Sequence, residues 1–165
     1  TRVLKGMMAL SMQKFPRGTS GAQLDVLARQ FLWQDGVTYN HGTGHGVGAF
    51  LGVHEGPIGF STRYPTPLEP GMIVSNEPGY YKTGAYGIRI ENLVLVTESD
   101  IGDGKYLELE TLTLAPIDLR LIDEALLLPH ERDWLNAYHK RVFREIGPQL
   151  KGETKAWLKD ATRPL

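Results

Sequence analysis

No cysteine occurs among the 165 residues. That absence excludes disulfides and thiolate zinc sites, and it fits a reducing cytoplasmic setting. Neither charge dominates: 18 Lys plus Arg stand against 19 Asp plus Glu, a net charge of -1. A basic field for nucleic acid is therefore missing, as is an acidic tail for a basic partner. No apolar run approaches the roughly 20 residues needed to cross a bilayer, so a membrane partner is not expected either. Internal repeats and low-complexity segments are also lacking.

What is present is enough apolar residue, 41%, for a core in one domain with a short appendage. Val3, Leu4, Met7, Met8, Leu10 and Met12 recur at helical spacing, with no capping residue ahead of them. A chain that opens at Thr1 within such a stripe reads as a C-terminal fragment of a longer protein, although loss of an initiating methionine would also expose a threonine. Phe15 to Thr19 reads as a turn. Ser20-Gly-Ala-Gln23 is a capping box that opens a helix with Leu24, Leu27, Ala28, Phe31 and Leu32 on its buried face, stopped near Asp35-Gly36. Val37 to Thr113, cut by Gly and Pro, reads as strand-rich, with strands at Met72–Glu77, Tyr86–Thr97 and Tyr106–Leu114. After Pro116 helical spacing returns, at Leu119–Leu128, at Pro129–Ile146 and near Glu153–Lys159. The expected division is residues 1–116 as the catalytic part and 117–165 as a helical extension.

The chemistry concentrates in His41-Gly-Thr-Gly-His45-Gly-Val-Gly, His54, Glu77 and Glu91. Imidazoles with carboxylates are the ligand mix of catalytic Mn, Co, Zn or Fe sites. Alternating glycines let the backbone approach a ligand closely. Glu91 lies in the apolar run Ile88–Leu95, where Arg89 shares its face; a solvated Arg89–Glu91 ion pair is the plain alternative to a metal role. If the Glu77 and Glu91 strands pair antiparallel, two like charges meet that a dication would reconcile. His130 and His139 sit in the amphipathic extension and read as structural.

Three blocks carry a resemblance. His41-Gly-Thr-Gly-His45 through His54-Glu-Gly-Pro, Ser75-Asn-Glu77-Pro-Gly-Tyr-Tyr and Gly87-Ile-Arg-Ile-Glu91-Asn resemble the cytosolic Xaa-Pro aminopeptidases of the pita-bread metallopeptidases. The resemblance implies an α+β fold, a curved antiparallel pita-bread (creatinase/aminopeptidase-like) sheet backed by helices, here N-terminally truncated. It implies two divalent metal ions, manganese first and cobalt or zinc as alternatives. His45, Glu77 and Glu91 would be metal ligands, with Glu91 bridging and Glu77 also handling the proton of the attacking water. His41 and His54 would contact the scissile carbonyl, and Arg89 would orient carboxylates. Substrates would be peptides with proline in second position, and the parent enzyme would be a homodimer. The family also uses two upstream aspartates. Asp25, Asp35, Asp100 and Asp103 do not match them, so the isolated chain is expected to hold an incomplete, inactive site. A prolidase-type dipeptidase and a non-catalytic scaffold of the same fold remain as alternatives.

Overall fold

Helix α1 (Arg2–Ser11) follows the apolar stripe, and Val3, Leu4, Met7, Met8 and Leu10 are all buried. The computed structural model describes residues 1–50 and 52–165; Leu51, inside the glycine- and histidine-rich block, lies outside the described residues. A two-residue edge strand β1 (Phe15–Pro16) replaces the expected turn. Proline is tolerated there because an edge strand can spare one N–H. Helix α2 (Gly21–Trp33) packs along α1. The helices meet so closely at Gly6 that a Cβ there would lie 2.1 Å from the Ala28 carbonyl oxygen. Gln23 Oε1 accepts the Ser20 backbone N–H at 2.8 Å, the return half of the capping box. Leu24, Ala28 and Leu32 are buried as expected, but so is Asp25, a charge the apolar stripe did not announce.

Strands begin later than the punctuation suggested. Among the described residues, 40–72 form turns joined to the sheet by a bridge between Gly46 and Val74. Then come β2 (Ile73–Asn76), β3 (Gly79–Lys82), β4 (Tyr86–Arg89), β5 (Asn92–Glu98) and β6 (Tyr106–Thr111). The main antiparallel sheet has the order β1-β6-β5-β2, and β3 with β4 forms a separate hairpin. One register runs through both: Asn76 opposes Asn92 and Gly79 opposes Arg89. The ladder breaks between them, where Pro78 has no N–H to give. The run Tyr86–Thr97 is thus two strands, with Ile90 and Glu91 in the gap. Phe15, Leu24, Phe60, Val74, Val94 and Leu107 form the core against α2.

Residues 114–165, with Thr1, form a second compact unit. No helix spans Leu119–Leu128. Asp118 and Asp123 instead accept the N–H groups of Arg120 and Ala125, at 3.0 and 3.1 Å, and start two short 3-10 turns. Such side-chain bonds outcompete helical ones. Helices α3 (Pro129–Ile146) and α4 (Gly152–Ala161) follow. No helix among the described residues is long and apolar enough to cross a membrane.

His130 is exposed, and His139 is fully buried. His139 Nε2 accepts the Ile117 N–H at 3.0 Å. The ring proton therefore sits on Nδ1, which meets no acceptor in good hydrogen-bond geometry among the described residues and gains only a weak bond to the Arg163 backbone. Burial lowers its pKa below the ordinary 6.5. Below pH 6.5 the unfolded ring takes up a proton that the folded one refuses, so stability falls as pH drops from 6.5 toward the folded value. We expect faster amide exchange in α3 at pH 5.5 than at pH 7.5 once the intrinsic pH dependence is removed. His139→Gln, which retains an acceptor for Ile117, should flatten that dependence; an unchanged slope would remove His139 as its source.

Candidate metal centre

The turn after Tyr39 is laid against the end of β2 by backbone bonds on both sides. Ser75 donates its N–H to the His45 carbonyl at 2.9 Å, and Glu77 donates its own to the Thr43 carbonyl at 2.7 Å. Between them Gly44 leaves no room: a Cβ would lie 1.7 Å from the Ser75 carbonyl oxygen. This close lamination sets His45 over Glu77.

His45 Nδ1 lies 2.9 Å from the Gly46 carbonyl, an acceptor only, so Nδ1 carries the proton. In the neutral ring, Nε2 then presents its lone pair to Glu77 Oε1 at 3.2 Å. Glu77 is 8% exposed, and its Oε1 accepts the Ser75 hydroxyl proton at 2.9 Å. A proton on Nε2 or a metal ion between the two would satisfy both acceptors in this nearly dry place. Ligands about 2.1 Å from one ion at right angles lie about 3 Å apart, so this pair fits a divalent metal. The imidazole is oriented by a backbone carbonyl and the carboxylate by a hydroxyl, the outer support that metal ligands commonly have.

His41, His45, His54, Glu77 and Arg89 open into one cavity of about 620 Å³. His54 is exposed, with its ring centroid 4.2 Å from that of His45. No hydrogen bond to the His54 ring occurs among the described residues, whereas both nitrogens of His41 are engaged. His41 Nδ1 donates to the Gly42 carbonyl at 2.7 Å, and Nε2 lies 2.9 Å from Tyr81 Oη. Arg89 Nε donates to that same oxygen at 2.9 Å, so the phenol proton points to His41. The bond from Arg89 to Tyr81 raises the guanidinium's pKa further. Arg89 also lies 3.6 Å from Glu77 Oε2.

Glu91 stands apart from this group. It is exposed, it does not line the cavity, and no three His, Asp or Glu side chains cluster in ligating fashion among the described residues. Its position is nonetheless the next step of the register after Asn76 and Asn92, across from Glu77. Arg89 closes β4 and Glu91 lies in the gap after it, so the expected single strand is interrupted, but exposure still alternates, with Arg89 and Glu91 exposed and Ile88 and Ile90 partly buried. Sequence reasoning also missed Ser75, Thr43 and Tyr81. All three lie inside the blocks that carry the resemblance, Thr43 between His41 and His45 and Ser75 and Tyr81 around Glu77, and that position was the signal available.

Residues 1–98 match the description "Metallopeptidase family M24", and residues 105–165 match "C-terminal region of peptidase_M24". A probable Xaa-Pro aminopeptidase P from Tuber melanosporum is 52% identical over 174 residues, covering 100% of this chain and 28% of the relative. Aminopeptidase P2 of Arabidopsis thaliana is 52% identical over 172 residues, covering 100% of this chain and 24% of the relative. The chain thus spans about a quarter of the length of these relatives. Among solved structures, an X-prolyl aminopeptidase from Caenorhabditis elegans is described as a cytosolic enzyme with a di-nuclear active site. It superposes with a TM-score of 0.93 at 43% identity, covering 100% of this chain and 28% of that one. A Xaa-Pro dipeptidase from Bacillus anthracis gives a TM-score of 0.58 at 35% identity, over 72% of this chain and 30% of that one. The pita-bread fold expected from the sequence is the one found, and this chain belongs to metallopeptidase family M24.

Proposed function

We propose that the full-length protein is a metal-dependent Xaa-Pro aminopeptidase, hydrolysing the bond between an N-terminal residue and a following proline. The observation that carries this reading is the facing of His45 Nε2 and Glu77 Oε1 at 3.2 Å inside the histidine-lined cavity. Relatives about half identical to this chain are described as probable Xaa-Pro aminopeptidases P. In this reading His45, Glu77 and Glu91 hold two divalent ions, Mn2+ first and Co2+ or Zn2+ as alternatives. When bound, the ions polarise the scissile carbonyl and lower the pKa of the attacking water. Glu77 takes the water's proton, held in place by Ser75 and faced by Arg89. His54, whose ring nitrogens are unengaged among the described residues, contacts the carbonyl oxygen as negative charge develops on it. His41 is the more constrained of the two and reaches substrate only by releasing Tyr81. A cytosolic setting is proposed from the C. elegans relative, and assembly as a homodimer from the sequence resemblance alone.

The test is hydrolysis by the full-length protein of a tripeptide and a dipeptide, each with proline second. We expect Mn2+-dependent release of the first residue from the tripeptide, loss with a chelator, and recovery on adding Mn2+ back. Cleavage confined to the dipeptide would point to a prolidase. No cleavage of either peptide by metal-loaded protein would defeat the reading.

A further inference from the structure

We propose that Asp25 and Arg29 of α2 are positioning residues that clamp the histidine turn and through it set His41 and Glu77; the inference rests on the peptidase reading above. Arg29 spends its guanidinium on three acceptors inside the protein. Nε donates to Asp25 Oδ2 at 2.7 Å, and the two terminal nitrogens donate to the carbonyls of Tyr39 and His41, each at 2.8 Å. Its plane also lies 4.1 Å from the centre of the Tyr39 ring. The other carboxylate oxygen, Asp25 Oδ1, accepts the Thr43 hydroxyl proton. With that proton committed, the bond between Tyr39 Oη and Thr43 Oγ1 must use the phenol's proton. Burial pushes the Tyr39 pKa up to about 12, so the phenol keeps its proton across the working range of pH.

The clamp is dry: the Asp25 and Arg29 side chains are 8% and 12% exposed. What it holds would otherwise be loose, because Gly42 and Gly44 flank Thr43 and glycine fixes little by itself. Arg29 holds the backbone at the root of His41, whose ring then packs on Tyr39 at 4.8 Å. Asp25 holds Thr43, and the Thr43 carbonyl receives the Glu77 N–H at 2.7 Å. One acid–base pair, a helical turn apart, thus reaches a cavity histidine on one side and the buried carboxylate on the other. A lysine cannot replace this arrangement, since one ammonium has no planar fork to meet a carboxylate and two carbonyls at once.

The test compares the full-length protein with its Arg29→Lys variant in two readouts. One is kcat and KM on an Xaa-Pro tripeptide with metal content measured alongside. The other is the ring nitrogen spectrum of 15N-histidine-labelled, metal-free protein. We expect kcat to fall by about 10- to 100-fold, as for other outer supports of a metal site. KM and metal content should change little. The His41 ring signals should move, while those of His139 stay in place. A kcat within twofold of the parent, with unmoved His41 signals, overturns the clamp. So does a fall in kcat that matches an unfolded fraction while the folded His41 signals are unchanged. Should Arg29→Lys not fold, Thr43→Val cuts the Asp25 and Tyr39 links while leaving all three Arg29 bonds; kcat should fall by a similar factor in folded protein, and a kcat within twofold of the parent overturns the clamp. If the parent cleaves no Xaa-Pro peptide, the peptidase reading fails, and the His41 spectrum alone decides the clamp.

Discussion

Glu77→Gln in the full-length protein should lower cleavage of an Xaa-Pro tripeptide by on the order of 10³-fold, within the range that a general base contributes. The substitution preserves size and shape, so the backbone bond to Thr43 and the contact with the Ser75 hydroxyl have no steric reason to fail. Two things are lost. The side chain can no longer take a proton from water, and it no longer offsets the charge of a cation beside His45 Nε2, 3.2 Å from Oε1. An amide can also turn its NH2 toward that nitrogen and close the gap with a hydrogen bond of its own. Metal content should therefore fall along with turnover. Measuring both on the same preparation is informative. Activity within a fewfold of the parent at normal metal content would show that Glu77 is neither ligand nor base.

The parts of this arrangement that could be read from sequence are those with a local signature. The stripe of α1, the cap of α2 and the long α3 each follow from periodicity and end signals. The strand carrying Val94 and Val96 was legible because β-branched residues alternate through it. The gap at Ile90–Glu91 was not, since apolar residues run on both sides of it and the interruption comes from Pro78 on the opposing strand, which has no N–H to give. The extension misled for the opposite reason. Leucines at helical spacing suggested one helix, but two aspartates started turns that spacing does not register. In the site, histidines and glutamates identify themselves by chemistry. Thr43 acts through its hydroxyl and its carbonyl, Ser75 through its hydroxyl and its backbone N–H, and hydroxyl residues of that kind occur everywhere. Asp25 and Arg29 had the spacing of a surface ion pair, and only their burial separates them from one.

Gly44→Ala should open the lamination on which the whole site depends. An added methyl would stand 1.7 Å from the Ser75 carbonyl oxygen, and both partners are backbone, so no side chain can swing aside. Relief requires the turn to lift from β2. Three contacts lie in the path of that movement: Ser75 N–H to the His45 carbonyl, Glu77 N–H to the Thr43 carbonyl, and His45 N–H to Ser75 Oγ at 3.0 Å. At about 1 kcal/mol net for each hydrogen bond, their loss alone is about 3 kcal/mol, before the cost of exposing Val74 and Phe60 beneath the turn. In a longer protein a melting temperature would blur this local event, so the amide protons are the better witnesses. Ser75 and Glu77 should exchange slowly in the parent and faster in the variant, by at least the roughly 100-fold that about 3 kcal/mol represents. Amides of β6 should change far less. Metal content should fall as well, because His45 and Glu77 no longer face each other. Unchanged protection at Ser75 and Glu77 would mean that the turn accommodates a side chain at position 44, and the close-packing account of the site would be wrong.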